Sequence, residues 1–408
     1  MQLVNVPRNQ SCLAQKEKIS DSQGSSLVSF MAYCVTVIGV MLAFTPSESN
    51  SIALSHLVRY SGLAMVCFGL LINRLPKFHY RAYFWLTVLT FYVCMLNFRV
   101  FNPDGLIHSA YLIGSFLIAS LLSSGNNRWM FVRALDAVLL IWALALILQF
   151  SMSMLGFEFV DLHKVVFGYS ESRTFNAFIN YPRPSGLHLE PGTHAQWVFG
   201  LVMVRFFLTG IFSRSAVLAI LSIPLSMSFW GLGATLFLLP VMFFNIRKSA
   251  VSGFASQLGI LAGVLIVAII VYFFASIFGD TFWEYVTVRS TLEDGSGSSK
   301  TQAYSFFFRD WFNYLLIGNN YSFDFCGGCL SKQDAGLLLN MFVYFGVLPS
   351  VLVWFVIAVR GIKSVGYVFL IFLMLVATTK FSIYEPIFWL VCFICFNKIN
   401  IQRQVGDL

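Results

Sequence analysis

Apolar residues run along this chain in blocks long enough to cross a bilayer as helix, and short polar joints separate them. A crossing helix needs about 17 to 25 predominantly apolar residues. Candidate spans of that kind fall near 27–44, 57–72, 82–98, 106–122, 134–154, 195–212, 215–229, 231–245, 258–278, 334–358, 365–380 and 386–397. Several are short, so the expected number is ten to twelve. Between 215 and 245, Pro224 and the pair Gly231 and Gly233 mark either a turn between two spans or one broken helix. The predicted fold is an all-α polytopic membrane protein whose single transmembrane domain covers 27–397, flanked by tails at 1–26 and 398–408.

Two polar segments break the run of tight joints, 155–194 and 279–333. Long connections in a compact protein are usually functional. These two hold Lys164, Arg173, Arg183, Glu190, Arg289, Lys300, Arg309 and Asp324. Within the second, residues 299–316 (SKTQAYSFFFRDWFNYLL) mix aromatic and polar residues at near-helical spacing, which predicts an interfacial helix lying along the outer leaflet.

Charge sets the orientation. With the N-terminus inside, the inner segments carry Arg8, Lys16 and Lys18, then Arg74, Lys77 and Arg81, then Arg128 and Arg133, Arg214, Arg247 and Lys248, Arg360 and Lys363, and Lys398 and Arg403. The short outer joints carry only Arg99 and Lys380. The positive-inside rule then places both tails in the cytoplasm and both long loops on the outer side of the membrane. The net charge of +8 is largely this orientation signal, so nucleic acid is not an expected partner.

Composition agrees: 58% of residues are hydrophobic and 11% charged, Phe occurs 44 times, and mean hydropathy is +0.77. A soluble domain carries roughly 25% charged residues. Of the eight cysteines, Cys34, Cys67, Cys94, Cys392 and Cys395 fall in apolar spans, where Cys behaves as a small hydrophobe. Cys326 and Cys329 share a loop, as a small disulfide or as two free thiols. Without a second Cys or His pair beside them a zinc site is not expected. Lys16 and Lys18 precede an apolar run with no small-residue cleavage site, the pattern of a signal anchor. No P-loop, nucleotide-binding domain or internal repeat is visible.

The densest chemistry lies in Pro182-Arg-Pro-Ser-Gly-Leu-His-Leu-Glu-Pro-Gly-Thr-His-Ala-Gln196, just ahead of the sixth span. Arg183, His188, Glu190 and His194 gather there at a lipid–water boundary. They form either an anion-binding and acid/base site or a loop that carries Arg183 to headgroups and caps the next helix through Thr193 or Glu190. A second group comprises Arg289, then Arg309-Asp310-Trp311 and Gly318-Asn319-Asn320. Guanidinium offers a planar fork of donors suited to phosphate and diphosphate oxygens, although Arg309 could equally pair with Asp310 or lipid phosphate. Arg205, inside the predicted 195–212 span, is a candidate for lining a polar cavity, and Arg59 for an interface anchor.

The string Arg183-Pro-Ser-Gly186-Leu-His-Leu-Glu190-Pro191, leading straight into a span, resembles the R-x-S-G-x-x-x-E-P signature of bacterial O-antigen polymerases. The order continues with Arg309-x8-Gly318 in a long loop and then Ala335-Gly-Leu-Leu-Leu-Asn-Met-Phe-Val-Tyr-Phe-Gly-Val-Leu-Pro349. His188 stands where that family more usually has an aromatic or aliphatic residue.

The resemblance implies a GT-C-like, inverting, metal-independent glycosyltransferase that needs no cofactor and joins undecaprenyl-diphosphate-linked repeat units, with a chain-length regulator as a further partner. It implies Arg183, Arg289 and Arg309, with Arg205, on the diphosphate. Glu190 would be the general base or would orient an arginine, and His194 would be a second candidate base. An O-antigen ligase, sharing architecture and donor, and a lipid-linked oligosaccharide flippase are the rival readings. Transporters place ionisable residues at the bilayer midplane and often repeat their halves, whereas polar residues here collect in loops.

Overall fold

In the computed structural model, the described residues are 27–45, 52–73, 103–123, 125–168, 183–249, 296–318, 336–381 and 385–395, together with 84, 88, 92, 272, 276 and 279. Every regular element among them is helical. The helices are α1 (Leu27–Phe44), α2 (Ile52–Asn73), α3 (Pro103–Leu121), α4 (Gly125–Met154), α5 (Leu162–Phe167), α6 (Pro191–Thr209), α7 (Arg214–Leu225), α8 (Phe229–Ser249), α9 (Ser296–Asp310), α10 (Leu337–Phe345), α11 (Val347–Val365), α12 (Val368–Ala377) and α13 (Pro386–Cys395).

Three of these, α1, α4 and α11, are long and apolar enough to cross a membrane by length and composition. Shorter apolar stretches of 10 to 17 residues occur in α2, α3, α7, α8, α12 and α13. The lateral surface is apolar in a way water does not favour: Leu27, Phe30 and Met31 on α1, Leu144 and Leu148 on α4, and Leu352 and Phe355 on α11 all stand exposed. A face of that composition suits lipid.

Helix α6 is the axis of the fold, with nearly every side chain from His194 to Leu208 buried. It packs against α4, α7 and α8. It runs antiparallel to α4, because Gln149 late in α4 meets the residues ahead of α6 while Asp136 early in α4 meets Arg205 late in α6. Helices α1 and α2 approach closely through small residues: a Cβ on Gly39 would lie 2.8 Å from the Gly62 carbonyl oxygen. Small residues at a crossing allow such contact where the surroundings offer no hydrophobic drive between helices.

The region between 214 and 249 forms two helices separated by Ser226–Ser228, with Met227 at φ 51°. The expected 334–358 span is also two helices, α10 and α11. Gly346, at φ 96° and ψ 159°, breaks it, a conformation essentially confined to glycine. The break is filled by other parts of the chain. Leu348 N–H donates to Leu315 O at 2.9 Å, and Tyr92 Oη donates to Phe345 O at 2.7 Å. Peptide groups that a straight helix would pair internally are satisfied from outside it.

Residues 299–316, expected as an interfacial helix, form α9 and a 3-10 turn, Trp311–Tyr314. One side buries Ala303 and Phe307 against Leu339 and Val343 of α10. Phe308, Trp311, Phe312 and Leu316 remain exposed. Segment 155–194, expected as loop, contains the short helix α5. The expected spans 82–98 and 258–278 lie outside the described residues except for helical positions 84, 88, 92, 272 and 276. Arg289, Cys326 and Cys329 also lie outside them. Cys34, Cys67, Cys392 and Cys395 form no disulfide among the described residues.

Candidate functional site

The segment 183–190 is folded down onto the end of α4 rather than projecting from the bundle. Pro184 supplies no donor, and Gly186, at φ 62°, sits with its Cα side against Leu146, where a Cβ would come within 3.3 Å of the helix backbone. Gln149 Oε1 accepts the N–H groups of both Ser185 and Gly186 at 2.8 Å, and its Nε2 donates to Val160 O at 2.8 Å. His163, on α5, donates from Nδ1 to Leu187 O at 2.8 Å. The loop's buried peptide groups are thereby satisfied by side chains from α4 and α5.

At the loop's end Glu190 occupies the N-cap position of α6, with Pro191 at the first helical position, but its carboxylate makes no capping bond to the backbone. Instead Glu190 Oε1 accepts from Thr193 Oγ1 at 3.2 Å and pairs with Lys380 Nζ at 3.1 Å. Lys380 follows α12, and its own N–H donates to Gln196 Oε1 at 3.0 Å. Trp230 Nε1 donates to Thr378 Oγ1 at 3.1 Å, closing α8 and α12 around the same end of α6. Arg183 is half-buried, and its Nε is enclosed with no hydrogen-bond partner among the described residues. A buried donor left unmet costs on the order of 1–3 kcal/mol, so this Nε–H is a donor with capacity for an incoming acceptor where the loop begins.

Beneath the loop two imidazoles meet. His188 Nδ1 and His194 Nδ1 are 3.1 Å apart, and His194 Nε2 is 3.4 Å from Ser222 Oγ. Ser222 spends its hydroxyl proton on Ala219 O, so its oxygen accepts from His194 Nε2–H. His194 Nδ1 is then the acceptor of His188 Nδ1–H, and His188 Nε2 is a bare acceptor. That nitrogen is buried without a hydrogen-bond partner among the described residues, as are Ser185 Oγ and the donor Trp142 Nε1, whose ring stands edge-on to His188 at 4.5 Å. Burial, and after it the neighbouring His194 and His163, drives the His188 imidazole well below the ordinary histidine range, toward its neutral form. Both nitrogens of His194 are committed inside the protein, an arrangement suited to holding the loop.

Arg205 lies at the opposite end of α6 from Glu190. Its Nε and Nη2 form a fork on Asp136 at 2.7 and 3.2 Å, and Ser215 adds a donor to the same carboxylate at 3.1 Å. It therefore shares no cavity with Glu190 and His194; it ties α6 to α4 and to the start of α7. Arg59, expected as an interface anchor, instead pairs with Glu385 at 2.9 Å with both side chains about 10% exposed. Because Lys380 and Glu385 bound one short connection, that pair stands at the Glu190 end.

Arg309 is 69% exposed on α9, 3.6 Å from Asp310 and over the Phe306 ring at 4.7 Å. Among the described residues no hydrogen bond or ion pair joins it to Arg183, Glu190 or His194.

Sequence reasoning missed Gln149, Asp136 and Glu385 as partners, since nothing along the chain links residues so far apart. For Lys380 a signal did exist: it is a lysine in joints otherwise almost free of basic residues. Comparisons with protein-family models, with curated proteins and with solved structures find no match to this chain, so the geometry of the Arg183–Glu190 loop carries the functional argument.

Proposed function

We propose that the chain is an O-antigen-type polysaccharide polymerase of a bacterial inner membrane, transferring a growing glycan from one undecaprenyl diphosphate to the terminal sugar of a repeat unit on another. In this reading ten to twelve helices span the bilayer in a GT-C-like arrangement, both tails are cytoplasmic, and the Glu190 end of α6 faces the periplasm. The observation that carries it is the Arg183–Glu190 loop: one turn presents a half-buried guanidinium whose Nε has no partner among the described residues at its start and a carboxylate held by an ammonium at its end.

The chemistry asks for such a turn. The attacking sugar hydroxyl forms a new bond to the anomeric carbon as the bond to the diphosphate oxygen breaks, and the diphosphate leaves with the electron pair. Charge grows on that leaving group, and fixed cations at the point of growth stabilise the transition state more than the ground state. Arg183 takes that part, joined by Arg309 and Arg289 from the second long loop. Glu190 receives the hydroxyl proton, and His194 holds the turn in place. Arg205, paired with Asp136 at the other end of α6, takes a supporting role at the cytoplasmic side.

Sizing surface glycan from a deletion strain tests this. Loss of a polymerase leaves lipopolysaccharide bearing single repeat units. Bare core would instead indicate a ligase that transfers finished glycan to lipid A core, and unchanged polymer would overturn both.

A further inference from the structure

Lys380 combines a backbone held at both neighbours with a partly exposed side chain. Its N–H is bound to Gln196 Oε1 on α6, the adjoining Thr379 carbonyl accepts Leu337 N–H at 3.0 Å, and Thr379 Oγ1 donates to Val376 O at 2.7 Å. From that pivot the flexible four-carbon stem brings Nζ to Glu190. The pair is partly exposed, 38% on Lys380 and 22% on Glu190. Ion pairs so placed contribute only about 0–1 kcal/mol to stability, so the fold gains little by keeping it closed. A deeply enclosed pair such as Arg59–Glu385, by contrast, cannot be opened without leaving a buried charge.

We propose that Lys380 is a diphosphate-binding residue that exchanges partners: paired with Glu190 as seen here, and drawn onto the diphosphate when the lipid-linked donor binds. This rests on the polymerase reading. The exchange does two things at once. It adds a cation opposite the leaving group, and it frees Glu190 Oε1 to accept a proton. In the step that follows, the sugar hydroxyl's proton passes to the Glu190 carboxylate, the hydroxyl oxygen bonds the anomeric carbon, and the diphosphate departs with the electrons of the broken bond. Lys380 keeps its three protons throughout, acting as a point charge.

The test uses the purified full chain, with inorganic pyrophosphate as the probe and the pyrophosphate-dependent rise in Tm as the readout. Wild type should be stabilised, Lys380→Met should lose most of the response and Lys380→Arg should keep it. Glu190→Gln removes the competitor for the ammonium and should tighten pyrophosphate binding by about tenfold, the factor equivalent to ~1.4 kcal/mol, while abolishing polymer in cells. A merely structural pair predicts the reverse, with Glu190→Gln weakening binding or leaving it unchanged. Equal stabilisation of wild type and Lys380→Met would overturn the assignment. If Lys380→Met fails to accumulate, Lys380→Arg and Glu190→Gln decide it alone. Should deletion of the chain leave full-length glycan, the polymerase reading falls whatever pyrophosphate does; should deletion abolish polymer while pyrophosphate ignores Lys380, only this proposal falls.

Discussion

Gln149 Oε1 receives the N–H of Gly186 at 2.8 Å, so a single amide on α4 fixes the turn that carries Arg183 and Glu190. Replacing Gln149 by Leu leaves two buried N–H groups without acceptors, at about 1–3 kcal/mol each. Reduced Tm of the purified protein together with shortened glycan is the expected outcome. Full-length polymer at wild-type protein level would show that the turn does not need this anchor.

Arg183→Ala and Arg309→Ala should each stop polymerisation while the protein remains in the membrane at wild-type amounts. Loss of one preorganised charge-stabilising donor typically lowers a rate by about 100- to 1000-fold, enough to collapse a polymer ladder to single units. Arg183→Lys keeps a charge but not the fork, and should recover only part of the length. Gel sizing of lipopolysaccharide reads all three, and full-length polymer from both alanine variants would refute the arginine assignments.

Arg205 and Asp136 should behave as a pair. Arg205→Met strands the Asp136 carboxylate beside apolar helices and should cost about 1–3 kcal/mol; the double variant Arg205→Met/Asp136→Leu should regain most of it. Thermal unfolding of the three variants gives the coupling. Glycan length should follow protein level in each, since neither residue touches the Glu190 end.

His188 links stability to acidity. The folded protein keeps it neutral, whereas in the unfolded chain it protonates near its ordinary value of about 6.5. Below that value the unfolded state holds the extra proton, so this contribution is complete above about pH 6.5 and declines as pH falls. Tm should therefore drop on acidification from about pH 7.5 to about pH 5.5, and His188→Phe should flatten that slope. An identical slope in the variant would exclude His188 as its source.

Gly346→Ala should destabilise by about 1–3 kcal/mol, because its φ of 96° suits glycine and a Cβ would come within 3.0 Å of Leu316 backbone atoms. Protease sensitivity between α10 and α11 is the direct measurement.

Much of the helical layout was legible from apolar run length. The first run, 27–44, coincides with α1, and 106–122 with most of α3. The Arg183–Glu190 turn stood out because Pro, Gly and charge are dense there. The break at Gly346 did not, since the residues on both sides are apolar and run length alone cannot separate one helix from two. Long-range partners were invisible for a different reason. Asp136 reads as an isolated acid in a span until α6 folds back to bring Arg205 beside it, and Glu385 reads as a lone acid in a short joint until α2 supplies Arg59.

The ion pairs at the Glu190 end also impose an order on assembly. Arg59 meets Glu385 across a sequence separation of 326, and Glu190 meets Lys380 across 190. During synthesis, two charges of the early helices wait in the membrane for counterparts that emerge much later. By contrast, Tyr92 and Leu315 precede the peptide groups they satisfy at Gly346, so that break can close as it is made. Lys380 and Glu385, made late in synthesis, thus complete the ion pairing at the Glu190 end of α6.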